Sequence, residues 1–182
     1  MKERPILFTP ENAQKIADGQ KVQTRRILKP QPEHGMMIKG PEFYAPCAID
    51  KDGEMYPGDD VFGAYSEDGR WGVVCPYGTV GDRLFITQPS PGSTGTPEER
   101  LLWKPDQAAK VKGHRWLEIT EVRVERVQDI TYEDEGREGI RLDERCNDRH
   151  SGFIALWESI YGPGAWERND WVWVVSFKRI MP

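Results

Sequence analysis

Hydrophobic positions along the chain fall into short runs with two periods. Phe153, Leu156, Trp157 and Ile160 recur at i, i+3, i+4 and i+7, which predicts an amphipathic helix capped by Ser151 and ended by Gly162. Ala13, Ile16 and Ala17 repeat the helical spacing behind Thr9, a good N-cap, and Pro10, which suits the first helical position. Gly19 stops that helix, so Thr9 to Asp18 makes a short one. The pattern Thr131-Tyr132-Glu133-Asp134 is a capping box, with Asp134 standing in for Glu, and predicts a helix to about Glu138 ended by Gly139.

The other period is two. Pro5 to Phe8, Val22 to Leu28 and Arg83 to Thr87 read as strands. Trp116 to Gln128 is the longest strand; its alternation slips once near Thr120-Glu121, which predicts a bulge. Trp171 to Phe177 is almost continuously apolar, as a buried strand should be.

Two excursions separate these elements, at about 33–74 and 88–115, both rich in Pro, Gly and polar residues. The first holds material for small hairpins, including one turning at Asp68-Gly69. Helices and strands do not alternate regularly, so a doubly wound parallel sheet is not expected. The expectation is an α+β protein: one domain over 1–182, built as a small, mostly antiparallel β-barrel with flanking helices and long loop excursions.

Composition narrows the function classes. The chain has 182 residues, of which 37% are hydrophobic and 30% charged, and seven Trp supply bulky core material against disorder. No apolar run is long enough to span a membrane, and the apolar-leaning stretch after Met1 to Pro5 is too short for a signal peptide. A cytoplasmic monomer is the expectation. Cys47, Cys75 and Cys146 form no Cys-x-x-Cys pair, which argues against both a disulfide framework and a standard zinc site. Cys146 and His150 lie four apart and could meet on a helix, but structural zinc wants more ligands, so neither metal nor cofactor is expected. The net charge of −5 excludes an all-over basic surface for duplex nucleic acid and leaves room for a local basic cleft.

Such a cleft has one good candidate. Asp18 to Arg26 carries Lys21, Thr24, Arg25 and Arg26 within six positions, just past the first helix. In a regular strand Val22, Thr24, Arg26 and Leu28 share one face, while Lys21, Gln23, Arg25 and Ile27 share the other. Lys21 and Thr24 converge only if Lys21 sits in the turn before the strand, or if a bulge re-aims one of them.

Three segments together resemble the ASCH family, a branch of the PUA-like barrel folds. Gly19 to Arg26 matches its Gly-x-Lys-x-x-Thr-x-Arg pattern, Gly81-Asp82-Arg83-Leu84 its Gly-Asp-x-Leu strand entry, and Val122 to Ile140 its cleft-closing strand and acidic helix. More closely, Arg4 to Phe8, Gln23 to Arg26, Cys75 to Gly78, Val122 to Arg126 and Trp171 to Val175 resemble ASCH-like proteins of phages and prophages. Where those continue with Arg-Glu-Thr-Trp, this chain has Thr87-Gln88-Pro89-Ser90. The resemblance implies a PUA-like barrel. One branch of the family consists of amidohydrolases that remove the acetyl group from N4-acetylcytidine, using a Lys, a Thr three residues later and a Glu in the acidic helix. It therefore implies Lys21, Thr24 and Glu138 as the catalytic set, with Glu135 as the fallback for the Glu. Other ASCH and PUA-like proteins bind RNA, and some are nucleases.

The chemistry is consistent with that set. A partly desolvated Lys can lose its charge and take the proton of a Thr hydroxyl, and a carboxylate can protonate a leaving amine. Arg25 and Arg26 could place a phosphate or steady an oxyanion, and Tyr77 and Trp71 could stack on a base. The plain alternative makes Lys21 a solvated turn residue, Thr24 a strand residue, Glu138 a surface carboxylate and Trp71 a satellite of the core. The expected function is hydrolysis of the exocyclic amide of a modified nucleoside. The alternative is a non-catalytic module binding RNA or a modified nucleotide. A third class, a phage protein acting on a host partner through its excursions, has no further signal in the sequence.

Overall fold

The computed structural model describes residues 1–87, 116–141 and 148–180. The second excursion, and Cys146 with the metal-pair idea attached to it, lie outside those residues. Strands β1 (Glu3–Leu7), β2 (Gln23–Ile27), β3 (Ile38–Tyr44), β4 (Cys47–Ile49), β5 (Met55–Pro57), β6 (Val61–Ser66), β7 (Gly72–Val74), β8 (Arg83–Thr87), β9 (Trp116–Arg126) and β10 (Trp171–Ile180) are joined by helices α1 (Pro10–Ala17), α2 (Tyr132–Arg137) and α3 (His150–Tyr161). The class is mixed α+β with strands predominant.

The main sheet runs β1-β8-β9-β10-β2, antiparallel except for the parallel pair β1–β8. The expected closed barrel is not formed among the described residues, because β1 and β2 are the two free edges of this order and no ladder joins them. Across the gap, Arg26 Nη2 on β2 donates to the Leu7 carbonyl on β1 at 2.6 Å. Its guanidinium also lies 5.1 Å from the centre of the Phe8 ring.

Strand β10 is the axis of the packing. Trp173, Val175 and Phe177 enter one core with Ile6, Phe8, Leu84, Leu117 and Ile119. Val172 and Val174 enter a second core with Val127, Phe153 and Trp157, where α3 packs. Burying aliphatic and aromatic side chains on both faces stabilises each by roughly 1.5–3 kcal/mol, which is why this strand reads as continuously apolar. The slip in β9 is a real bulge. Ser176 pairs with Glu121 and Phe177 with Ile119, so Thr120 is the extra residue.

Thr9 caps α1 by accepting from the Asn12 N–H. Thr131 caps α2 by accepting from the Asp134 N–H at 3.2 Å, but the reciprocal half of the predicted box is missing, since the Asp134 carboxylate is drawn off to two arginines. Ser151 is not the cap of α3. The helix begins at His150, and Asp148 accepts from the backbone N–H groups of His150 and Ser151 and from the Ser151 hydroxyl.

The first excursion is more ordered than a loop. Strands β3, β6 and β7 form a three-stranded sheet, and β4 and β5 a two-stranded one. Ile38, Phe62, Trp71 and Val73 lay one face of the three-stranded sheet on the first core.

Candidate functional site

Strand β2 is an edge strand whose alternation splits its side chains between two environments. Gln23, Arg25 and Ile27 pair with Ser176, Val174 and Val172, so they share the face of the second core. Thr24 and Arg26 pair with Val175 and Trp173, on the face of the first.

Lys21 precedes the strand in a turn made by Gly19, whose φ of +73° lets the chain reverse after α1. There the chain meets the end of α2. The Val22 N–H donates to the Arg137 carbonyl at 2.9 Å. Gly139 permits the approach, since a Cβ there would stand 3.1 Å from the Lys21 Cβ at a φ of +79°. Lys21 Nζ then donates to the Glu138 carbonyl at 2.9 Å and to Glu138 Oε2 at 2.6 Å. A cation thus sits at the carbonyl end of a helix, where the peptide dipoles favour it. Lys21 and Glu138 are only 3% and 4% exposed. Burial pushes the Lys21 pKa below the usual lysine value, more than the attraction of Glu138 restores.

Arg25 completes the cluster. Its Nη1 donates to Glu138 Oε1 at 3.1 Å and to Gln23 at 2.9 Å. Its Nη2 donates to Glu125 Oε1 at 2.6 Å and to Asp134 Oδ2 at 2.9 Å. Arg123 reaches Glu121, Glu125 and the same Asp134 oxygen from the other side. In register, Arg25, Val174 and Arg123 form one row across three strands, so Asp134 bridges two guanidiniums above a fully buried valine. A second row links Gln23 Nε2 to Ser176 Oγ, and Ser176 Oγ to Glu121 Oε2, each at 3.1 Å.

The predicted residues therefore divide. Lys21 and Arg25 each contact Glu138, one on each carboxylate oxygen. Thr24 is buried on the opposite face, and its hydroxyl makes no hydrogen bond among the described residues. Arg26 is engaged by Leu7 and Phe8. Tyr77 and Trp71 are half-buried against the first core, and burial raises the Tyr77 phenol. Cys75 is buried and its thiol pKa is raised by burial, the opposite of an activated nucleophile. Between the two candidate acids, Glu138 is the one at Lys21. Glu135 is 1% exposed and faces His150, with Oε1 and Nδ1 2.5 Å apart. Two adjoining open grooves, about 490 and 310 Å³, flank this turn and share Gln20, Ile140 and Arg141; Gly139 lines the smaller.

Sequence reasoning missed Gln23, Glu125, Asp134, Arg123 and Ser176. One signal was present. Glu121, Arg123 and Glu125 alternate along β9, a charged row on one face of a strand whose other face carries Val122 and Val124.

No family model matches the chain, and no curated protein matches it. Among solved structures it is similar to a high-resolution crystal structure of an ASCH domain from Lactobacillus crispatus JV V101, with a TM-score of 0.43 and 14% identity over 98% of this chain and 79% of that one. None of the described helices is long and apolar enough to cross a membrane.

Proposed function

We propose that the protein is a small hydrolase acting on the exocyclic amide of a modified nucleoside such as N4-acetylcytidine. The observation that carries this reading is the sealed Lys21–Glu138 pair, 2.6 Å apart, with the lysine pKa depressed. Perturbed, charge-partnered groups of this kind are what acid–base chemistry requires. The Lys-x-x-Thr spacing adds Thr24 as nucleophile.

One proton serves the pair. Moved from Nζ to the carboxylate, it leaves a free amine and a carboxylic acid. Lys21 then takes the Thr24 proton as Oγ attacks the acyl carbon. Glu138 gives its proton to the departing exocyclic amine. The C–N bond breaks, an acyl ester remains on Thr24, and the ion pair is restored. Water hydrolyses the ester. For this Lys21 must swing from Glu138 around the start of β2, and the leaving amine must reach Glu138 past the same sheet edge, with Arg26 placing the acyl group beside Thr24. Arg25 acts as a positioning residue, holding Glu138 through the oxygen that Lys21 does not use.

The test is incubation with N4-acetylcytidine and chromatography for cytidine. Lys21→Ala and Glu138→Gln should each lower turnover by about 10²–10⁴-fold. The pH profile should be bell-shaped. Below the acidic limb the pair holds two protons and has no base; above the alkaline limb it holds none and has no acid. Because burial lowers the Lys21 pKa, the alkaline limb should fall below the ordinary lysine value of 10.5. Unchanged turnover in Lys21→Ala overturns the mechanism. Absence of turnover on any acylated nucleoside favours the binding module, for which affinity should fall in Arg26→Ala and persist in Glu138→Gln.

A further inference from the structure

Strands β3, β4, β5 and β6 are successive parts of one long β-ribbon. Tyr44 pairs with Val61, the Gly58 N–H donates to the Pro46 carbonyl at 2.7 Å, and Cys47 and Ile49 pair with Pro57 and Met55. The tip closes where Asp50 N–H donates to the Glu54 carbonyl at 3.0 Å. From Tyr44 to the tip the ribbon extends roughly 20 Å at about 3.3 Å per residue.

Its charge is singular. Between Glu42 and Asp60 there are six carboxylates and one cation, Lys51, a net of −5. The whole chain also carries −5, so the remaining residues balance to zero, with 24 acids and 24 bases. No ion pair with a described residue engages Asp50, Asp52, Glu54, Asp59 or Asp60. The same ribbon exposes apolar side chains: Ile49 and Met55, paired across the strands, are 67% and 70% exposed, and Phe43 and Tyr56 are exposed as well. A two-stranded ribbon of three-residue strands is marginal in water without something to pack on. Pro41 and Pro57 lack an N–H, which makes strand addition a poor mode of contact and leaves recognition to side chains.

We infer that the ribbon is a docking arm for a protein partner whose surface is cationic with an apolar groove, the groove taking Ile49 and Met55 and the cations facing Asp50, Asp52 and Glu54. Charge complementarity selects this occupant. A nucleic acid is repelled by the arm, and the electrically balanced body of a second copy offers it no cationic excess.

The test uses the full chain and an amphipathic Lys/Leu peptide of fourteen residues as probe, followed by calorimetry, with a Glu/Leu peptide as control. The parent should bind the Lys/Leu peptide one to one and ignore the control. Two variants, Asp50→Asn/Asp52→Asn/Glu54→Gln and Ile49→Ser/Met55→Ser, should each weaken binding about tenfold or more, with thermal unfolding unchanged. Loss in only one variant, or in neither, overturns the docking arm. Ribbon-dependent self-association in sedimentation equilibrium, or binding of a single-stranded oligonucleotide abolished by these changes, likewise overturns the assignment of the occupant.

Discussion

The two faces of β2 use cations in opposite ways. On one, Arg25 is completely buried and spends its guanidinium on Glu125, Asp134, Glu138 and Gln23. On the other, Arg26 lies half-buried over an aromatic ring and holds one carbonyl. Two arginines adjacent in sequence thus answer to different physics. The first is fixed by charge compensation in a low-dielectric site, the second by packing at a sheet edge. Where burial is complete, each removed partner strands several others.

That contrast predicts a ranking. Arg25→Ala should cost about 3–5 kcal/mol, since three carboxylates lose a buried cation at once, and urea denaturation would read it. Arg25→Lys should restore only part, because a single ammonium cannot span the three carboxylates and an amide. If Arg25→Ala cost no more than Arg26→Ala, the distinction between the faces would collapse. Arg26→Ala should itself cost about 1–2 kcal/mol, for one hydrogen bond and one cation–π contact. Smallest is Thr24→Val. It replaces a hydroxyl without a described partner by a methyl, and should change stability by less than about 1 kcal/mol while abolishing the proposed turnover. A large stability loss there would mean that the hydroxyl is structural, and would remove the reason to regard it as a nucleophile.

Much of this was legible from the chain. Period-two and period-3.6 signals placed α1, β2, β8, β9, α3 and β10, a capping-box pattern placed α2, and the broken alternation at Thr120 located the bulge. The contact between Lys21 and Glu138, the residue just past the end of α2, was not in the sequence as spacing. It depends on Gly19 and Gly139, each with positive φ, bringing two distant turns together. The extent of the ion network was invisible for a related reason. Asp134 looked like a helix-capping residue, and only the tertiary register of β2, β10 and β9 shows that its carboxylate serves Arg25 and Arg123. The open sheet was missed because strand patterns reveal that strands exist and say nothing about whether the first and last of them meet. The ribbon β3 to β6 was obscured by Gly and Pro, which read as loop wherever side-chain alternation is weak.

The guanidinium that joins β1 to β2 has a mechanical consequence. A peptide ladder loads its bonds in parallel, so parting two strands is a cooperative event. Arg26 is a single contact in series, added to the packing of Ile6, Phe8 and Leu28 in the shared core, and no rung of the β1-β8-β9-β10-β2 order depends on it. Among the described residues, hydrogen bonding between these two edges therefore rests on one side chain, the second neighbour of Thr24 in sequence, while apolar packing carries the rest.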